Sequence, residues 1–348
     1  MVSSAWALPL AATVAAVVTV STGTVVSAAP AAPPTACAIE RLEESKTWSM
    51  SIVTGGDPTG AYIAGRGYPA DPHGDFTRYP VIWQNGKPTA VDVPGIDQRL
   101  DDVNASGAAV ATGYDPNTWE PMRPWLYTGG RLLPLRGVDS GEALGLNNRG
   151  DVVGVSQSPV VGPVWWPVYS TGAGPVQLPM PDGALSARAY DIDEDGTIVG
   201  TYTDKEGVDH GLVWLPGGQR FKELPLPKGY GPMSAAYTIR NGWITGLTGG
   251  DTGLVGLRWH LPTGEAKVYP QFDIRPSEAN AQGWLVGSDL SGRGLFVSEG
   301  GDLRLPGLAE PATPLGDIAT TLSDDGRTIG GQATDKEGQL RAVRWTCA

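Results

Sequence analysis

Histidine and cysteine are scarce in this 348-residue chain, at three and two copies, which leaves little material for a transition-metal site. Charged residues make up only 18%, with 37 acidic side chains against 25 basic ones. A net charge of −12 argues against a protein built to grip a phosphate backbone or an anionic membrane surface. Long amphipathic runs of Leu, Ala, Glu and Lys are missing, which argues against a helical bundle. What is abundant is glycine (49) and proline (30), residues that interrupt helices and fill turns. At 41% hydrophobic, the chain still has the apolar material for a core that a disordered protein lacks.

The first charged side chain is Glu40. Ahead of it, Leu8 to Val26 is an almost unbroken apolar run, and Val26-Ser27-Ala28 offers the small residues a signal peptidase reads. Residues 1–28 are therefore expected to be a secretory signal peptide, although no Lys or Arg precedes the apolar run. The Ala/Pro-rich residues 29–36 are expected to be a linker, and residues 37–348 one domain. No later segment approaches the roughly 18 apolar residues of a membrane span. The mature chain is expected to be secreted, extracellular and free of the membrane.

Internal repeats decide the fold class. Leu146-Asn-Asn-Arg-Gly150-Asp-Val-Val-Gly154, Ile192-Asp-Glu-Asp-Gly196-Thr-Ile-Val-Gly200 and Leu322-Ser-Asp-Asp-Gly326-Arg-Thr-Ile-Gly330 are copies of one phrase. Weaker copies are anchored at Gly60, Gly107, Gly242 and Gly283, so the anchors stand 41 to 47 residues apart. Four residues after each anchor is a small residue: Ala64, Ala111, Gly154, Gly200, Gly246, Gly287 or Gly330. That places it where space is short, expected to be near a crowded central channel. Each phrase reads as strand, glycine turn, strand. A second apolar phrase follows, usually with Trp (Trp83, Trp166, Trp214, Trp259, Trp345), and then a segment often ending in Leu-Pro. Two hairpins, or four short strands, per roughly 44 residues match one blade of a β-propeller. The expected fold is all-β: a seven-bladed β-propeller, with the repeated Trp packed between blades.

The termini fit a closed ring. After Arg341-Ala-Val-Arg-Trp345-Thr-Cys347 the chain stops one strand short of a blade, and Cys37-Ala-Ile-Glu-Arg-Leu42 resembles the strand that follows Trp in other repeats. Strand exchange between the termini would place Cys37 opposite Cys347 across the missing hairpin, and a disulfide between them is expected.

The phrase Leu146-Asn-Asn-Arg-Gly150-Asp-Val-Val-Gly154, followed by an apolar-Trp phrase, resembles the HAF repeats of extracellular bacterial proteins, over about residues 50 to 345. His210-Gly211-Leu212 is the nearest relic of the His-Ala-Phe triplet itself. The resemblance implies a secreted, repeat-built β protein and no defined activity.

Candidate chemistry is thin. Asp191, Asp193, Asp195 and Gly196 open like a calcium loop, but the twelfth position is Tyr202 rather than an acid, so an acidic hairpin turn is the simpler reading. Ser323-Asp324-Asp325-Gly326 is similar to a sialidase Asp-box with its glycine one residue early, and is better read as another repeat. His73, His210 and His260 lie in different repeats with no ligand spacing, and no Gly-x-Ser-x-Gly elbow or phosphate loop occurs. No metal or cofactor is expected. The residue after the anchoring glycine accepts Asp151, Thr197 and Arg327, which suggests a solvent-facing position. Trp243 and Trp284 occupy it in consecutive repeats, and Trp119 lies off the repeat. Exposed aromatics of this kind form platforms for sugars or for a partner's apolar side chains. The alternative is that Trp243 and Trp284 fill a groove against a neighbouring loop.

The expected function is a monomeric, non-catalytic binding module, its partner an extracellular polysaccharide or protein and not a nucleic acid. The alternative is a glycan hydrolase or lyase with carboxylates at the channel mouth. Converging acids at one channel end would favour the enzyme, and an aromatic patch the binder.

Overall fold

Period-two alternation and a glycine turn at each anchor yield antiparallel meanders of four strands, and seven such sheets make a ring. The computed structural model describes residues 32–70, 76–168, 174–251, 253–309 and 316–348. The expected signal peptide and His73 lie outside the described residues. No helix occurs among the described residues. In the first blade the strands run Trp48–Gly56, Tyr62–Pro69, Tyr79–Gln84 and Lys87–Ala90, from the channel outward. The seventh blade takes Ile318–Leu322, Thr328–Thr334 and Leu340–Cys347 from the C-terminal end and Cys37–Arg41 from the N-terminal end. Cys37 stands opposite Cys347 in that pairing, and the two form a disulfide across 310 residues of chain.

Neighbouring blades are joined by the side chains that recur in the repeat. Trp83, Trp214, Trp259 and Trp345 are almost fully buried, and Trp166 nearly so. Each indole Nε1 donates to a backbone carbonyl at the outer edge of the preceding blade: Glu43 (2.6 Å), Arg136 (2.9 Å), Pro179 (2.7 Å), Pro225 (2.6 Å) and Pro306 (2.8 Å) for Trp83, Trp166, Trp214, Trp259 and Trp345 respectively. Three of these acceptors are the proline of the recurring Leu-Pro pair, so the two motifs are the halves of one contact. The recurring Asn is a second clasp. Oδ1 of Asn147 caps its own turn at the amides of Arg149 and Asp151, while Nδ2 donates to the carbonyl of Asp193 in the next blade. Asn104 and Asn280 repeat this arrangement with Asn147 and Ser323 as the acceptors.

The small residue after each anchor has a different cause from the one expected. The innermost strand carries a β-bulge in six of the blades. Beside it a backbone carbonyl of the same blade presses on the second strand. A Cβ at Gly154, Gly200 or Gly246 would come within about 2 Å of the carbonyl oxygen of Glu142, Arg188 or Ala235. At Gly154, Gly200 and Gly246 the crowding is within a blade rather than between blades at the channel, whereas Gly330 meets both Thr321 of its own blade and Ile63 of the next.

Candidate functional site

The antiparallel meander gives the ring two chemically different faces. One face, here the turn face, carries the first-to-second and third-to-fourth strand turns. The other, the loop face, carries the second-to-third loops and the connections between blades. Side-chain caps close turns on both faces: Asn104, Asn147 and Asn280 on the turn face, and Asp115, Asp204, Asp289 and Asp335 on the loop face. Most of the exposed large apolar side chains lie on the loop face. Phe76, Trp119, Val160, Val161, Leu254 and Leu290 stand in or beside second-to-third loops, and Leu185, Tyr230 and Ile274 on connections between blades. Leu133, Val168 and Phe221 are exceptions.

The three tryptophans singled out in the sequence are not brought together. Trp243 and Trp284 follow turn-face glycines, whereas Trp119 is in a loop on the opposite face. Trp284 is not the exposed platform expected: it is 6% exposed, edge-on to Phe296, with its ring over Gly326 of the next blade. Trp243 is half-buried, stacked on His260 at 3.8 Å, and its ring covers Gly283 of the next blade. Asp151 and Thr197, at the same repeat position, are also buried, whereas Arg327 there is exposed, so the position meets the neighbouring blade in some repeats and solvent in others. Trp119 alone of the three is exposed, at 49%, and meets Phe76 edge-on at 4.5 Å.

The channel is an hourglass. Gly56, Asp102, Asp191 and Glu278 line both a chamber of about 530 Å³ on the loop-face side and a pocket of about 50 Å³ on the turn-face side, so they form the partition. The three acids come from the second, fourth and sixth blades and meet at this partition, inside the channel rather than at its mouth, where the enzyme alternative put them. Their oxygens, however, are occupied. Asp102 accepts the amides of Val103 and, in the next blade, Leu146; Asp191 accepts those of Ile192 and Ile239 in the same way. Glu278 accepts the amide of Leu322. These carboxylates staple blades together. Asp193 and Asp195 likewise accept backbone amides, of Glu194, Asn241, Gly242 and Thr197, and Asp191 and Asp193 serve as interblade caps rather than as an open loop. Sequence reasoning missed the staples because the same column, five residues before the anchor, holds Gly55, Gly145 and Thr321 in other blades. Reading that column blade by blade would have shown acids in alternate repeats.

Burial raises the pKa of Asp191 to about 7, with the charge of Asp193 adding to it, and that of Glu278 to about 8, with the charge of Asp191 adding to it. Asp102 is raised well above the usual range by burial and by Asp191. In the unfolded chain such groups titrate near pH 4. Between those values the folded protein holds protons that the unfolded chain has released, so stability falls as pH rises from about 5 to 8. Asp151, Asp204, Asp289 and Asp335 are shifted the other way and act only below the usual carboxylate range. The melting temperature is expected to be higher at pH 5 than at pH 8, and Glu278→Gln to reduce that difference. Equal melting temperatures at both pH values in the wild type would mean the staples are ionised in the folded protein.

The wall of the loop-face chamber is basic and aromatic on the fourth to sixth blades. Arg188 lies over Tyr190 (5.8 Å), Tyr190 against Tyr237 (5.2 Å), and Arg275 over Tyr237 (4.3 Å). Arg99 bonds Asp101 at 2.8 Å and Glu142 at 2.7 Å, and Glu142 also takes Arg188.

No protein-family model and no curated protein sequence matches this chain. Among solved structures it is similar to a puromycin-hydrolyzing peptidase of Mycobacterium tuberculosis, with TM-score 0.52 and 10% identity, over 91% of this chain and 55% of that one. It is also similar to TolB of Acinetobacter baumannii, with TM-score 0.49 and 17% identity, over 86% of this chain and 67% of that one. The fold is a seven-bladed β-propeller. At these identities the likeness extends to the fold alone, and this chain spans about half of the peptidase's length. No helix among the described residues is long and apolar enough to cross a membrane.

Proposed function

We propose that the chain is a secreted, monomeric, non-catalytic interaction propeller of the HAF-repeat kind, which docks an extracellular protein on its loop face. The observation that carries this reading is the gathering of exposed apolar side chains on the loop face. A disulfide between the termini fits an oxidising compartment. Of the two partner classes weighed from the sequence, protein is favoured over polysaccharide. Val160, Val161, Leu185, Leu254, Ile274 and Leu290 are branched aliphatics, which suit a partner's apolar side chains better than the flat face of a sugar. The exposed aromatic rings of this face, Phe76, Tyr79, Trp119 and Tyr230, are fewer, and only Phe76 and Trp119 meet one another. The hydrolase alternative loses support because the converging carboxylates are bonded to backbone amides.

The test is cross-linking of the mature protein to the secreted and surface proteins of its source, with retention on chitin and cellulose in parallel. A variant carrying Val161→Glu, Leu185→Glu, Leu254→Glu and Leu290→Glu is expected to lose the cross-linked partner. The turn-face variant Gln282→Glu is expected to keep it. A partner retained by the loop-face variant would overturn the face assignment. Retention on a polysaccharide that Trp119→Ala abolishes would replace the protein partner with a glycan.

A further inference from the structure

The loop-face chamber contains a cation without a counter-ion. Arg99 and Arg188 share Asp101 and Glu142 between them. Arg275, in the same wall, pairs with no carboxylate among the described residues: its Nη1 donates to the carbonyls of Pro276 (3.1 Å) and Ser277 (3.5 Å). Burial lowers its pKa, and its nearest electrostatic neighbours are the hydroxyls of Tyr237 and Tyr190. A second donor in this wall, Nε of Arg188, is buried with no hydrogen-bond partner. Two guanidiniums held against two tyrosines in tilted contact are oriented before any ligand arrives, so little ordering remains to be done on binding.

We propose that this chamber is a binding site for a small organic carboxylate, received by the guanidinium of Arg275 beside the rings of Tyr237 and Tyr190. The volume, about 530 Å³, is that of a small-molecule site. The partition narrows its far end. One unpaired guanidinium matches a single carboxylate, and its planar fork suits two parallel hydrogen bonds to it. The hydroxyls of Ser277 and Thr320 stand in the same chamber and offer partners to a polyol. The floor carboxylates are spent on backbone amides, and burial keeps Asp191 and Glu278 protonated into the neutral range, so they repel an anion weakly. This site is independent of the protein partner proposed for the rim.

The test is calorimetric titration of the mature protein with D-galacturonate, glutarate and acetate, beside the neutral methyl galactoside. At least one carboxylate is expected to bind roughly tenfold or more tightly than the galactoside, the size of effect a charged hydrogen bond contributes. Arg275→Gln should abolish that preference, and Arg220→Gln, outside the chamber, should keep it. In the wild type, the bound carboxylate should protect Arg275 from phenylglyoxal, read by peptide mass, where the galactoside does not; this measurement stands even if Arg275→Gln fails to fold. No carboxylate binding better than the galactoside, an unaltered preference in folded Arg275→Gln, or an unprotected Arg275 would each overturn the proposal.

Discussion

Replacing Cys37 and Cys347 with serine is expected to cost the protein about 5 kcal/mol of stability, the chain-entropy value for so long a loop. The bond joins residues 310 apart, so in its absence the unfolded chain regains nearly all of its end-to-end freedom. For a domain of this size the melting temperature should fall by on the order of 5–10 °C. The seventh blade should open first, because Cys37–Arg41 is then held by its pairing to Leu340–Cys347, the packing of Ile39 and the ion pairs of Glu40 with Arg344 and of Arg41 with Asp335, with no covalent tie. Hydrogen exchange compared between the oxidised protein and the double-serine variant checks both points. Faster exchange is expected at every amide that exchanges through global unfolding, with a further gain at residues 37–41 and 340–347. Uniform loss of protection would mean that the ring has no weak seam.

The second large effect is expected at the tryptophan clasps. Trp214 is fully buried, and its indole N–H reaches the carbonyl of Pro179 at 2.7 Å. Trp214→Ala removes the ring and leaves that carbonyl without its partner, at about 3–5 kcal/mol for a buried aromatic. Trp214→Phe keeps most of the packing and isolates the hydrogen bond, about 1–3 kcal/mol for an orphaned buried acceptor. Trp119→Ala, at an exposed ring, should change stability by a few tenths of a kcal/mol at most. Urea unfolding of the three variants ranks them. A Trp214→Phe variant as stable as the wild type would show that the indole N–H contributes nothing to blade docking.

These clasps also explain why the architecture was readable in the sequence. Trp214, the Leu224-Pro225 pair and the anchoring Gly196 do one job in every blade where they occur, so they recur at a fixed period. The closing disulfide was readable because the seventh repeat stops one strand short and the missing strand is at the other end. The loop face was not readable: Val161, Leu185 and Leu290 share no period and differ in position relative to the turns. The exposure of Trp284 was misjudged because Asp151 and Thr197, its repeat equivalents, are polar yet buried, with Asp151 bonded to Asn147 and Arg149. At Asp151 polarity reported a hydrogen-bonded interface, whereas at Arg327 it did report water. Arg275 and Tyr237 came to notice only when the ring placed their blades side by side.

The composition of the seventh blade also sets an order on biosynthesis. Its outermost strand is among the first segments made and its other three are the last, so six blades have all their strands before the seventh has its second. Until Leu340–Cys347 emerges, Cys37–Arg41 has no edge to pair with and Cys37 no thiol of its own chain to oxidise with. The finished bond thus records that the last residues have arrived. A chain that stops short of Cys347 carries a free thiol, a chemical mark that distinguishes an unfinished ring from a complete one.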